Sequence, residues 1–226
     1  MAENEIPSLA VFDCDGTIVD SQHVIVSTAT AAWRSFGLED PNPVEVRQVV
    51  GLPLVEAIGR LLPENSPDDH VAIAERYRDA FQARRSDQDL HEPLYEGAAE
   101  VLQKLDSAGV LLAIATGKGR RGLDAVLERH GLREYFIVLK TADDGPGKPN
   151  PAILLDAMSE TGVPANRTAM IGDTVFDIKM ACAARTHAVG VSWGYHETDA
   201  LWQAGADHVV ERFSQLPELL QSIWGT

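Results

Sequence analysis

Cysteine is nearly absent from this 226-residue chain, Cys14 and Cys182 being the only two. Two thiols cannot build a disulfide framework, and their scarcity fits a reducing cytosol, so a cytoplasmic protein is expected. No apolar run approaches the roughly 18–20 residues that a membrane span requires. The opening "MAENEIPSLAVF" has neither the basic n-region nor the small-residue cleavage site of a signal peptide. Positive charge is also scarce: 19 Lys and Arg face 34 Asp and Glu, a formal net charge of −15. Nucleic acid and acidic membrane surfaces, both polyanions, are therefore poor general partners. An anionic small molecule can be held only where local cations or a metal ion reverse the field. Apolar residues at 45% and charged residues at 23% are ordinary for a globular chain. The length suits one large domain, or one domain carrying an insertion.

Short apolar runs recur along the chain: "SLAVF" (8–12), "VLLAIA" (110–115), "YFIVL" (135–139), "TAMI" (168–171), "HAVGV" (187–191) and "HVV" (208–210). Amphipathic stretches near 98–108, 120–130, 151–161, 175–184 and 213–224 alternate with them. This rhythm predicts βαβ units and a parallel sheet covered on both faces, with ligands bound beyond the carboxyl ends of the strands. Residues 21–92 break the rhythm, with helical patterns at 22–36, 43–50, 54–62 and 68–86 and no strand-like run longer than "VV". An all-helical insertion after the first strand is expected to lie over that edge like a lid. Extra helices packed immovably on the sheet are the alternative.

Asp13 and Asp15 in "VFDCDGTIVDS" stand two positions apart at the end of the first apolar run. They read either as a reactive pair or as caps of the following turn. Two close carboxylates in a crevice push one pKa upward, which suits acid–base work, and a divalent cation would relieve their repulsion. The thiol between them fails a simple test. Cysteine phosphatases need Arg six positions on, whereas Asp20 follows Cys14 at that distance and Ala188 follows Cys182. Both cysteines are therefore expected to be packed and inert. "AIATGKG" sets Thr116 and Gly117 at a strand end, where a hydroxyl and main-chain N–H groups can hold phosphate oxygens. The same place offers a rival, since "GKGRRG" (117–122) matches the dinucleotide-binding G-x-G-x-x-G, with Asp143 or Asp144 near the distance of a ribose ligand. Lys148 in "GPGKPNP" precedes a helix start marked by Asn150 and Pro151. Standing alone it would read as solvated surface. "MIGDTVFDI" offers Asp173 and Asp177 as oxygen ligands for Mg²⁺, although Thr174 and Asp177 also fit a capping box. Arg47 and "GLPL" (51–54) in the insertion are candidates to face a substrate, Arg47 reading more readily as a solvated helix residue, and the aromatic loop Trp193, Tyr195 and His196 reads as packing.

Taken together, "FDCDGT", "ATGK", "GKPNP" and "IGDTVFDI" resemble the four motifs of the haloacid dehalogenase-like phosphohydrolases, in that family's order and across nearly the whole chain. The helical stretch resembles the family's small α-helical cap, and "SWGYHETDALWQAGADHVVERFSQL" is similar to the tail of its phosphoglycolate phosphatase-like branch. The resemblance implies a Rossmann-like α/β core over 1–20 and 92–226 and a helical cap over 21–91. It also implies that Asp13 attacks phosphorus to give an aspartyl-phosphate and that Asp15 shuttles the proton. Mg²⁺ would be held by Asp13, the Asp15 carbonyl and Asp173, with Asp177 in support. Thr116 and Lys148 would bind the equatorial oxygens. The implied partner is a small phosphorylated metabolite, phosphoglycolate-like or a sugar phosphate, acted on by a monomer or homodimer.

The presence of Asp15 separates the chain from the family's dehalogenases, which lack the second carboxylate. Gly117 stands where relatives often carry Asn, and Arg185 where the branch usually has Gly, so the helix before Arg185 is expected to end differently. Beside a phosphatase, three alternatives stay open: a phosphomutase passing the same phosphoryl group to a sugar phosphate, a dinucleotide-dependent oxidoreductase, and a receiver-like module.

Overall fold

The alternating runs form one six-stranded sheet. In a computed structural model that describes residues 7–84 and 92–225, the strands are β1 (Leu9–Phe12), β2 (Leu111–Ala115), β3 (Phe136–Lys140), β4 (Thr168–Gly172), β5 (His187–Val191) and β6 (His208–Val210). They lie in the order β3-β2-β1-β4-β5-β6, every pairing parallel. β1 is central and completely buried, which is why "LAVF" is apolar at every position rather than alternating. Ala10 and Phe12 face α5 (Ala98–Ser107), α6 (Arg120–Arg129) and α10 (Leu216–Trp224). Leu9 and Val11 face α7 (Ala152–Thr161), α8 (Val175–Ala184) and Leu201 of α9 (Thr198–Ala204).

Register sets the position of the site. Phe12 pairs with Ile114 of β2 and with Ile171 of β4. Asp13, Thr116 and Asp173 therefore leave the same sheet edge within two residues of those partners. The chain runs from β1 outward to β2 and β3, then returns to β4 on the other flank. That reversal is the topological switch point at which such sheets open a crevice.

After β1 come α1 (Gln22–Ser35), α2 (Pro43–Gln48), α3 (Leu54–Leu61) and α4 (Pro67–Arg84), matching the four expected helical patterns. Their inward side chains, among them Ile25, Trp33, Val46, Ile58 and Ile73, form an apolar cluster distinct from those on the two sheet faces. The expected end of the last pattern at 86 and the boundary at 91 lie outside the described residues, as does the start of the chain. No helix among the described residues is long and apolar enough to cross a membrane.

Three details differ from expectation. The stretch from 213 begins with a 3₁₀ turn, Phe213–Gln215, before α10, and α9 is an additional helix. Asn150 accepts the Ala152 N–H at 3.0 Å, but α7 starts only at Ala152, with Pro151 as its cap residue. Finally, α8 does end at Arg185, which adopts φ 60°. A left-handed arginine costs on the order of 1 kcal/mol. Here the Arg185 and Thr186 N–H groups bond the Cys182 and Ala181 carbonyls, offsetting that cost at the helix end.

Candidate active site

The turn after β1 exposes Asp13 to the crevice while fixing it firmly. Its N–H continues the ladder to Ile171 O, and its Oδ1 accepts the Cys14 N–H at 2.7 Å. Gly16 turns the chain with φ 82°, and a Cβ there would overlap the Asp173 carboxylate. The same is true of Gly194 in the loop after β5. Both glycines leave Asp173 a close-fitting cradle, in which Thr17 Oγ1 and the Tyr195 N–H each donate to one carboxylate oxygen at 2.8 Å. Asp177 is held by the expected capping box, its Oδ2 accepting the Thr174 N–H and hydroxyl at 3.0 and 2.7 Å. Its Oδ1 accepts from Lys148 Nζ at 2.5 Å, and the same ammonium lies 2.9 Å from Asp13 Oδ1. Lys148 is thus fully buried and in the company of both carboxylates, not the solvated surface it would be if it stood alone. Thr116 also bonds the Asp13 side chain.

Charge in this pocket is unbalanced. Carboxylate oxygens of Asp13, Asp173 and Asp177 lie within 4.8 Å of one another, all buried. With all three ionised, three carboxylates against one ammonium would leave an excess of two negative charges. Burial pushes the Asp13 carboxyl up to about 6 despite Lys148 beside it. Burial, with Asp177 and Asp13 nearby, raises Asp173 well above the usual carboxylate range. Burial disfavours the Lys148 charge, yet Asp13 and Asp177 outweigh it and hold the ammonium above the ordinary lysine range. A cluster of hard oxygen donors with this excess charge fits Mg²⁺. Asp177 is the most heavily engaged of the three, with one oxygen on the Lys148 ammonium and the other on both Thr174 donors, which leaves Asp13 and Asp173 as the more available carboxylates.

A family model described as haloacid dehalogenase-like hydrolase matches residues 10–191, which span every one of these side chains. The chain belongs to this family. It is 38% identical to the "Probable phosphatase IndB" of Dickeya dadantii, over 92% of this chain and 91% of that protein. It is 30% identical to the phosphoglycolate phosphatase of Vibrio parahaemolyticus, over 97% and 98% respectively. A solved "predicted phosphatase" from Clostridium acetobutylicum superposes with a TM-score of 0.84 at 23% identity, covering 98% of this chain and all of that one. The chain is accordingly an enzyme of the haloacid dehalogenase-like phosphatase type, in the phosphoglycolate phosphatase-like branch.

Within this family frame, sequence reading missed one cluster. Lys118 is buried, with Nζ 2.7 Å from Asp15 Oδ1 and 3.2 Å from Glu92 Oε1, and Phe81 covers it at 5.2 Å. Arg129 takes the other Glu92 oxygen at 3.0 Å, and Ser21 Oγ donates to Asp15 Oδ1 at 2.6 Å. Burial opposes the Lys118 charge, but Asp15 and Glu92 hold it protonated above the ordinary range. Here two anions meet two cations, so the Asp15 side is balanced where the Asp173 side is not. Lys118 was visible within "ATGKG", but Glu92 is 26 residues away in sequence, and only the fold joins them. Lys118→Met is expected to destabilise the protein by about 3 kcal/mol, because it removes the ammonium shared by two buried carboxylates and leaves Arg129 alone to balance both. Adding Glu92→Gln should recover part of that loss in a urea titration. No recovery would mean that the lysine serves packing alone.

Other expectations need correction. Arg47 does not line the crevice; it faces an outer groove with Gln22, His23 and Arg34, because Val46 is the α2 residue turned inward. Gly117 sits under the Gly51 main chain, where a Cβ would come within 3.1 Å of the carbonyl oxygen, so an Asn would crowd this approach. Cys14 is packed as expected, with burial pushing its thiol well up, but Cys182 is exposed. The oxidoreductase rival loses its anion seat: Asp143 accepts the Arg120 N–H at 2.8 Å at the start of α6, and Asp144 pairs with the Arg120 side chain. Trp193 packs against Phe213 as expected, while Tyr195 also contacts the site, its hydroxyl 3.0 Å from Ser21 Oγ.

Proposed function

We propose that the chain is a Mg²⁺-dependent phosphatase of small phosphorylated metabolites, working through an aspartyl-phosphate. The observation that carries this reading is the buried excess of carboxylates over ammonium around Asp13, Asp173, Asp177 and Lys148, with Asp15 balanced separately beside it. Asp13 would attack phosphorus in line as the bond to the leaving oxygen breaks. Asp15 Oδ1 is held by Ser21 and Lys118, leaving Oδ2 to enter the step carrying a proton and to give it to that oxygen. The same atom then takes a proton from the water that attacks phosphorus, releasing phosphate and restoring Asp13. Lys148 and Thr116 neutralise and orient the equatorial oxygens. When bound, Mg²⁺ would be held by Asp13, Asp173 and the Asp15 carbonyl, with Asp177 behind them, and would offset charge on the transferring group.

In the same reading, residues 21–91 act as a cap over a core of 1–20 and 92–226, and the enzyme works in the cytoplasm as a monomer or homodimer. Hydrolysis of p-nitrophenyl phosphate is expected with Mg²⁺ and is expected to stop with EDTA. Inactivity with Mg²⁺ on this ester and on a panel of small phosphates would remove the proposal.

A further inference from the structure

The crevice above Asp13 and Asp15 is one end of a cavity of about 580 Å³ in all, which reaches between the inner faces of α1, α3 and α4. Its far walls are apolar, with Trp33, Val50, Leu54, Ile58, Tyr77 and Phe81 prominent among them. A two-carbon acid phosphate would fill little of this space. The cations nearby are not free to receive a second anion in the interior. Lys118 is bound to Asp15 and Glu92, and Arg120 to Asp144 and the Leu139 carbonyl. Arg78, Arg121 and Asp143 also line the cavity, and all three are exposed to solvent.

A substrate carboxylate or a second phosphate directed at the apolar far walls, rather than at the solvent-exposed Arg78 and Arg121, would lose its hydration against Trp33 and Ile58 with no cation among those side chains, which is strongly unfavourable. An uncharged hydrocarbon would instead exchange water for those walls. On the basis of the phosphatase reading, we propose that the substrate is the phosphate monoester of a bulky, uncharged, largely apolar alcohol. The preference then runs against phosphoglycolate, and equally against a sugar bisphosphate that must bind in two orientations, as a mutase intermediate does.

A series of primary alkyl phosphates tests this with leaving groups of similar basicity. With the Mg²⁺-loaded enzyme, kcat/KM is expected to rise about 10²-fold from ethyl through butyl to hexyl phosphate, each buried CH₂ contributing roughly fourfold. 2-Phosphoglycolate and fructose 1,6-bisphosphate should fall below hexyl phosphate, and hexylphosphonate should inhibit competitively where ethylphosphonate does not. A flat series, or phosphoglycolate or the bisphosphate outrunning hexyl phosphate, would overturn the substrate class while leaving the phosphatase reading intact. Failure of every ester, p-nitrophenyl phosphate included, would remove both.

Discussion

Asp13→Asn is expected to lower turnover by about 10⁵-fold, in line with the loss of a catalytic nucleophile elsewhere, while leaving a folded protein. The amide is nearly isosteric but cannot form the acyl phosphate. Its oxygen can still accept the Cys14 N–H, and Lys148 keeps Asp177 as its partner. The same substitution has a second readout. Asp13 carries a carboxyl raised from 3.8 to about 6 in the metal-free fold, chiefly by burial. The folded state therefore binds this proton more tightly than the unfolded chain does. Its stabilising contribution is complete below pH 3.8 and is lost as pH rises through the window up to about 6. At pH 7.5 the ionised Asp13 thus costs the metal-free protein stability, up to about 3 kcal/mol for a shift of this size. Without metal, Asp13→Asn is expected to melt at or above the wild-type temperature at pH 7.5, and at pH 4.5 the advantage should narrow. Adding Mg²⁺ should raise the wild-type melting temperature far more than that of the variant. A metal-free variant that melts well below wild type at pH 7.5 would show that the Asp13 charge is not under strain.

The parts of this site that could be read in the sequence are those carried by local pattern. The six apolar runs became the six strands, shifted by no more than a residue at most ends, because a strand buried on both faces must be apolar throughout. Asp13, Asp15, Thr116 and Asp173 were legible because each follows such a run directly, and parallel register brings the ends together. Thr174 and Asp177 were legible as a capping box because that motif closes within four residues. What was not legible depends on distance or on rotation about a helix. Glu92 gains its meaning only from Lys118 and Arg129 across the fold. Arg47 looked outward once Val46 was seen to face the apolar cluster, a difference of one position on α2. Gly117 stood where relatives often carry Asn, and the reason lies in the Gly51 main chain packed against it. Cys182 sits on α8, whose apolar composition hides an exposed face.

The pairing of Lys148 with Asp13 and Asp177 leads to the second large effect. Lys148→Met keeps the length of the side chain and removes its charge. Two carboxylates then face each other in a pocket almost closed to water. Breaking a buried pair from one side typically costs 3–5 kcal/mol, since the remaining charge is left without a partner. Turnover should fall by about 10³-fold or more, as expected for loss of a preorganised cation against the transferring group. The two losses can be separated. Asp177→Asn added to Lys148→Met removes one of the stranded charges and should recover part of the stability, measured by urea midpoint. It should recover no activity, because no ammonium remains to meet the phosphoryl oxygens. Asp177→Asn alone should be milder in both respects: Thr174 still has an acceptor for its hydroxyl, and Lys148 still has Asp13. If the double variant regained turnover with its stability, Lys148 would be a structural counter-ion only, and binding of the equatorial oxygens would rest on Thr116.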